Sequence, residues 1–172
     1  AVAKSTNLPI MIYNVPGRTG VNIVPSTVEK LAEIDTIVAI KEASGDLDQI
    51  SEVVNRCGDR IRVLAGDDSL FTPILAVGGV GVVSVIANII PKDLKDLFTT
   101  FKSGDIANMQ KRHHHLLRLY QAMFYEPNPA PVKTAMNLMG KDVGDLRLPL
   151  APMTESNKSR LVEVLKTYGL IN

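Results

Sequence analysis

Ile37-Val38-Ala39-Ile40-Lys41-Glu42 is the stretch on which the reading of this chain turns. It is a short run of branched aliphatics that stops at two charged residues. Apolar residues fill successive positions instead of alternating with polar ones. That pattern suits a strand covered on both faces, as in a parallel sheet. Three more runs have the same character: Ile10-Met11-Ile12-Tyr13, Ile61-Arg62-Val63-Leu64-Ala65, and the segment from Val80 to Ile86. Strands are therefore expected near 8–13, 36–41, 61–65 and 80–86.

Helical signals separate these runs. Ser26 can cap a helix just after Pro25, with Val28, Leu31 and Ala32 at apolar spacing. Asp46 opens a second helix, with Leu47, Ile50, Val53 and Val54 on one face and Gly58 at its end. Asp68 or Ser69 opens a third, which stops at Gly78-Gly79, and Pro91 stands where a fourth would start, with a stop at Gly104. Repeating βα units of roughly 20 to 28 residues imply a parallel α/β sheet or barrel. Past Gly104 the strand signal vanishes. Helices are expected over 105–125, 132–139 and from Thr154 to Tyr168, broken by Glu126-Pro-Asn-Pro-Ala-Pro131 and by Leu148-Pro-Leu-Ala-Pro152. The expected division is a βα-repeat part at 1–105 and an all-helical part at 106–172. A closed eight-stranded barrel needs about 250 residues. Periodicity leaves two architectures open, an open sheet or half of such a barrel.

Composition narrows the function class. Of 172 residues, 45% are hydrophobic and 22% charged, enough apolar material for a real core. The net charge is +1 and the 19 Lys/Arg are scattered, so neither nucleic acid nor an anionic membrane surface is an expected partner. The apolar run from Val80 to Ala87 is far too short to span a bilayer. A single cysteine, Cys57, excludes an internal disulfide and fits a reducing, cytoplasmic compartment; its simplest place is a buried helix end. The chain has no initiating Met and no signal-peptide pattern, only a short polar lead (Lys4-Ser5-Thr6-Asn7) before the first strand. It reads as starting part-way through a longer polypeptide.

The chemistry-bearing residues cluster at strand ends. Lys41 closes a buried strand, on the rim where βα barrels place their active residues. Desolvation there would favour the neutral amine that attacks a ketone. The plainer reading is a stem that snorkels to water or pairs with Glu42 or Asp46. Tyr13 ends the neighbouring strand, where a phenol can relay a proton. Arg18, in the Pro-Gly loop beyond it, is placed to grip a carboxylate bidentately. An interface tyrosine and a solvated arginine are the alternatives. Gly66-Asp67-Asp68 reads as a turn and helix cap rather than a metal site, with Gly66 allowing close backbone approach to a ligand. Gly78-Gly79-Val80-Gly81 precedes a strand and so is no dinucleotide fingerprint. His113-His114-His115 are consecutive on a helix, about 100° apart, and cannot converge on one ion. Met109, Met123, Met136 and Met139 take core-like positions.

Taken together, Tyr13-Asn-Val-Pro-Gly-Arg-Thr-Gly20, Ile40-Lys-Glu-Ala-Ser-Gly-Asp46, Gly66-Asp-Asp68, Val83-Ser-Val-Ile-Ala-Asn88, Glu126-Pro-Asn-Pro-Ala-Pro-Val-Lys133 and Leu146-Arg-Leu-Pro-Leu150 resemble the dihydrodipicolinate synthase family of pyruvate-dependent class I aldolases. The resemblance covers essentially the whole chain, with the motifs in order. It implies the C-terminal half of a (β/α)8 TIM barrel followed by a helical domain. It implies that Lys41 forms a Schiff base with pyruvate, that Tyr13 donates or relays protons, and that Arg18 holds the carboxylate of aspartate semialdehyde. Gly66 and Ile86 would line the pyruvate pocket, Ile86 through its backbone. The implied reaction condenses pyruvate with L-aspartate 4-semialdehyde, on the route to diaminopimelate and lysine. Neither a metal nor an organic cofactor is implied, because the protonated imine is the electron sink. A homotetramer is implied for intact members.

Family members also carry further βα units ahead of these motifs. Those units hold a Thr-Thr pair for the pyruvate carboxylate, a second tyrosine and the lysine feedback site. These 172 residues alone are expected to turn over weakly or not at all. Two other functions fit the residues: a sibling pyruvate aldolase of the N-acetylneuraminate lyase or sugar-acid type, and an inactive half-barrel with a structural role. The Arg-Thr pair in Pro16-Gly-Arg-Thr-Gly20 favours the synthase over the sialic-acid lyases, which tend to carry an apolar residue and Ser there.

Overall fold

Four parallel strands form one sheet, in the spatial order β1-β2-β3-β4. They are β1 (Ile10–Asn14), β2 (Ile37–Glu42), β3 (Arg62–Ala65) and β4 (Gly81–Val82). The computed structural model describes all residues from Ala1 to Asn172. Between the strands run α1 (Pro16–Thr19), α2 (Pro25–Leu31), α3 (Leu47–Cys57) and α4 (Phe71–Ala76). After β4 come only helices: α5 (Pro91–Lys102), α6 (Ile106–Ala122), α7 (Ala130–Leu138) and α8 (Glu155–Thr167).

Register puts chemically matched residues side by side. Tyr13 lies opposite Lys41, and Asn14 opposite Glu42. Lys41 pairs in turn with Leu64, and Glu42 with Ala65. Because successive side chains point to opposite faces of a strand, Tyr13 and Lys41 share one face and Asn14 and Glu42 share the other. The Asn14–Glu42 face also carries Ile40, Val63 and Ala65, and is buried with Val28, Ile50, Val53 and Ile74 of α2, α3 and α4. Full burial of one such Val or Ile side chain contributes about 1.5–3 kcal/mol. The opposite face is more open, with Met11 and Tyr13 each 46% exposed.

Most helix boundaries follow their expected caps. Asp46 accepts the Gln49 backbone N–H at the start of α3, and Gly58 ends that helix at φ 53. Thr154 caps α8 through the Asn157 N–H, and Asp105, expected only as the first residue of a helix, proves to be the cap of α6 through the Asn108 N–H. Pro91 is at the start of α5, as its missing N–H allows. Cys57 is buried at the end of α3.

Four expectations about individual elements need correction. Ser26 does not cap α2: Pro25 is already the first helical residue, with extended Val24 ahead of it, because proline's fixed φ starts the helix one position earlier. The fourth strand is much shorter than 80–86. Val83 still donates to the Ala65 carbonyl, but Val85 is in the right-handed helical region and a 3-10 turn occupies Ile86–Asn88. The Pro-Gly loop holds a single helical turn, α1, closed by Gly20 at φ 70. Finally, α4 starts only at Phe71, after a 3-10 turn over Asp68–Leu70.

The chain divides into two compact units, Ala1–Ser84 and Val85–Asn172. That division falls ahead of the boundary expected near 105 because α5 packs on α6 and so groups with the later helices. In the second unit Leu94, Leu97, Leu116, Leu119, Met123, Ala135, Leu161 and Leu165 form the core. Met109 and Met123 are buried there, whereas Met136 and Met139 are only half-buried. No helix is long and apolar enough to cross a membrane.

Candidate active site

The C-terminal ends of β1, β2 and β3 bring together Tyr13, Lys41, Gly66 and Asp67. Lys41, the penultimate residue of β2, holds its Nζ 4.1 Å from the centroid of the Tyr13 ring. The ammonium thus meets the π face of the ring, an electrostatically favourable contact, rather than the phenol oxygen. Neither alternative partner for Lys41 is engaged with it. The Glu42 carboxylate lies on the far face, where it accepts from Asn14 and from the Ser44 N–H, and Asp46 caps α3. The enclosure expected around Lys41 is partial: within this structure the residue is half-buried, on the open face of the sheet.

Gly66 is buried and donates its N–H to the Glu42 carbonyl at 2.7 Å. A Cβ there would sit 2.6 Å from the Ala43 Cβ and 2.9 Å from the Glu42 oxygen. The close approach that demands glycine is therefore to the end of β2, so Gly66 lets the β2 and β3 ends close together beside Lys41. Arg18 is exposed on α1. Its charge, with that of Lys41, acts on Asp67. Burial is the larger influence and pushes the Asp67 carboxyl above its ordinary value, while the two cations oppose that shift. Asp67 reads in the sequence as a turn residue; that its carboxyl feels the charges of Lys41 and Arg18 follows only from the fold, which brings the segments after β1, β2 and β3 into one neighbourhood.

Behind this rim is a polar network that the sequence also hid. Asn14 and Glu42 are 1% and 0% exposed. The Asn14 Nδ2 donates to Glu42 Oε1 at 3.0 Å, with Oε2 at 3.2 Å, and to Asn22 Oδ1 at 2.9 Å. The Asn14 Oδ1 accepts the Ile23 N–H at 3.0 Å. Glu42 Oε1 accepts the Ser44 N–H at 2.7 Å. Asn22 and Gln49 exchange side-chain hydrogen bonds at 2.7 and 3.2 Å, tying the loop after α1 to α3.

Ile86 belongs to the second unit. Its side chain is fully buried, and its carbonyl already accepts the N–H groups of Ile89 and Ile90. The three histidines do not converge: the His113 and His114 rings stand edge to face at 5.7 Å, and His115 packs on the Tyr168 ring at 4.9 Å. His113 is half-buried, and that burial, chiefly, lowers its pKa.

Residues 1–168 match the model of the Dihydrodipicolinate synthetase family. The chain belongs to that family. The 4-hydroxy-tetrahydrodipicolinate synthase of Thermodesulfovibrio yellowstonii is 52% identical over 170 residues, which cover 99% of this chain and 58% of that relative. The crystal structure of dihydrodipicolinate synthase from Aquifex aeolicus superposes with a TM-score of 0.95 at 44% identity, covering 98% of this chain and 58% of the other. The chloride-inhibited dihydrodipicolinate synthase of Acinetobacter baumannii, solved with pyruvate, superposes at 0.94 with 35% identity, over 99% of this chain and 58% of its own. The chain thus spans less than two thirds of the length of these members of the dihydrodipicolinate synthetase family.

Proposed function

We propose that this chain carries the Schiff-base portion of a 4-hydroxy-tetrahydrodipicolinate synthase. The observation that carries the reading is the Lys41–Tyr13 pair: an amine over a phenol ring, on the open face of a parallel sheet, at the C-terminal ends of adjacent strands. The synthase activity of the relatives and the pyruvate bound in one of them support the substrate class.

In this reading, unprotonated Lys41 Nζ forms a C–N bond to the ketone carbon of pyruvate. The ketone oxygen takes up two protons and leaves as water, so a protonated imine remains. Tyr13 supplies and collects the protons of these steps. Loss of a methyl proton gives an enamine; its carbon bonds to the aldehyde carbon of L-aspartate 4-semialdehyde, the aldehyde oxygen takes up a proton and becomes a hydroxyl, and the protonated imine re-forms. Ring closure through the amine of that substrate releases Lys41. Arg18 holds the substrate carboxylate, Gly66 lines the pyruvate pocket, and the imine serves as electron sink without metal or organic cofactor. The architecture that goes with this reading is the C-terminal half of a (β/α)8 barrel followed in the chain by a helical domain, in a cytoplasmic homotetramer.

Pyruvate with borohydride tests the proposal in the intact protein. Intact mass and peptide mapping should find one reduced pyruvyl group, on Lys41; an unlabelled Lys41 would refute it. Aldehyde preference separates the synthase from a sugar-acid aldolase. Arg18 favours the synthase, and indifference to aspartate semialdehyde would decide for the sibling activity.

A further inference from the structure

We propose that the buried Asn14–Glu42 pair is a positioning device for Lys41 and Tyr13, acting through the two strand ends that carry all four residues. The inference rests on the Schiff-base reading of Lys41 and adds to it a role for residues that touch no substrate.

Each of the pair is the chain neighbour of a site residue: Asn14 follows Tyr13, and Glu42 follows Lys41. The register sets Tyr13 against Lys41 and Asn14 against Glu42 in consecutive rows. A side-chain bond across the second row therefore fixes the backbone from which both members of the first row project. Backbone hydrogen bonds alone leave the last residues of a strand free to fray. Here the ends are locked from three sides. Ala43 donates its N–H to the Asn14 carbonyl at 2.9 Å, and Gly66 donates to the Glu42 carbonyl at 2.7 Å. Ile23 donates to Asn14 Oδ1 at 3.0 Å, which anchors the segment that carries α1 and Arg18.

The pair also has a chemical direction. Every hydrogen bond that Glu42 receives comes from a donor: Asn14 Nδ2 on both oxygens, and the Ser44 N–H on Oε1. An acceptor-only carboxylate matches that set, and an amide does not. Unpaired polar atoms at a buried site are costly. A carboxylate and an amide that merely filled space beneath the sheet would be replaceable by apolar residues of the same volume. One that aims Lys41 and Tyr13 would not, because a misplacement of about 1 Å can cost around 100-fold in rate.

The test exchanges the two chemistries in the intact protein and reads the rate at which pyruvate and cyanoborohydride label Lys41. In Glu42→Gln an amide N–H2 faces the Asn14 Nδ2, donor against donor. In Asn14→Asp two carboxylates face one another. The double variant Asn14→Asp/Glu42→Gln restores one donor opposite one acceptor between the two positions, and the Asn22 and Gln49 amides can turn over together so that Asn22 donates where it accepted. Labelling at saturating pyruvate should slow about 10-fold in Glu42→Gln and about 100-fold in Asn14→Asp, with half-saturation changed far less. The double variant should recover most of the loss. A packing role alone predicts no such recovery in rate among variants with native circular dichroism. Should Asn14→Asp not fold, Glu42→Gln and the double variant still decide. Wild-type labelling rates in folded Glu42→Gln would overturn the positioning role, as would a folded double variant no faster than Glu42→Gln. An unlabelled wild type would instead sink the Schiff-base reading itself.

Discussion

The two faces of the four-stranded sheet are built to different ends. The helix-covered face packs Ile40, Val63 and Ala65 against α2, α3 and α4, and pairs the polar residues Asn14 and Glu42 within that packing. The other face leaves Tyr13 46% exposed, with Lys41 across its ring. Residues adjacent in sequence therefore sit in opposite environments. A strand's two-residue repeat lets one segment anchor on one side and present reactive groups on the other. On this contrast, stability belongs to the even-numbered positions of β1 and β2 near their ends, and chemistry to the odd-numbered ones.

Substitution at Lys41 should have the largest effect. Lys41→Met keeps the stem and removes the amine, so the pyruvate adduct should vanish in mass spectrometry. Thermal unfolding should shift little, because substitutions at half-open positions change stability by only about 0.5 kcal/mol. A large loss of stability would break the comparison. Ile40→Ala, one residue away on the covered face, should do the reverse to stability. It opens a cavity where the side chain is 0% exposed and should cost about 2–5 kcal/mol in denaturant titration. Gly66→Ala sharpens the point at the junction of the faces. The new methyl collides with Ala43 and the Glu42 carbonyl, so overpacking should cost about 1–3 kcal/mol. Slower Lys41 labelling should accompany it, because the β2 and β3 ends must part.

Asp67→Asn should give the smallest change, and a pH-dependent one. Burial raises the Asp67 carboxyl above its ordinary value, against Lys41 and Arg18. The folded state thus binds the proton more tightly than the unfolded state does. The stability this contributes is complete below the unfolded value of about 4 and disappears as pH rises through the raised folded value. Asparagine does not titrate. The melting temperature of Asp67→Asn relative to wild type should therefore climb as pH rises through that window and then level off. A difference that is flat with pH would show that burial of the charged carboxyl does not govern this position.

Much of this contrast was open to sequence reading, and part of it was not. The apolar runs located β1, β2 and β3 because a strand buried within a sheet must be apolar along most of its length. Lys41 stood out as a charge at the end of such a run. Asn14 and Glu42 did not, because a polar residue at a strand end ordinarily faces water, and nothing in the sequence says that these two face each other. Asp67 reads as a turn residue for the same reason. The fourth strand was overestimated because Val83, Val85 and Ile86 are as apolar as a strand requires. In the fold they lie at and beyond the end of the ladder, and Ile86 is buried in a 3-10 turn.

The sequence by itself determined the alternation of strands and helices, the helix starts at Asp46 and Thr154, the change to an all-helical course and the candidate amine at Lys41. These are local properties, set by side-chain volume, polarity and backbone preference within a few residues. The tertiary structure alone decided that Tyr13 lies against Lys41, that Asn14 bonds Glu42 behind them, that Asp67 comes within the electrostatic reach of Lys41 and Arg18, and that Gly66 must lack a side chain. Each of these depends on strand register and on the approach of segments distant in the chain, which hydrogen bonding and packing across the sheet fix only once the strands are paired.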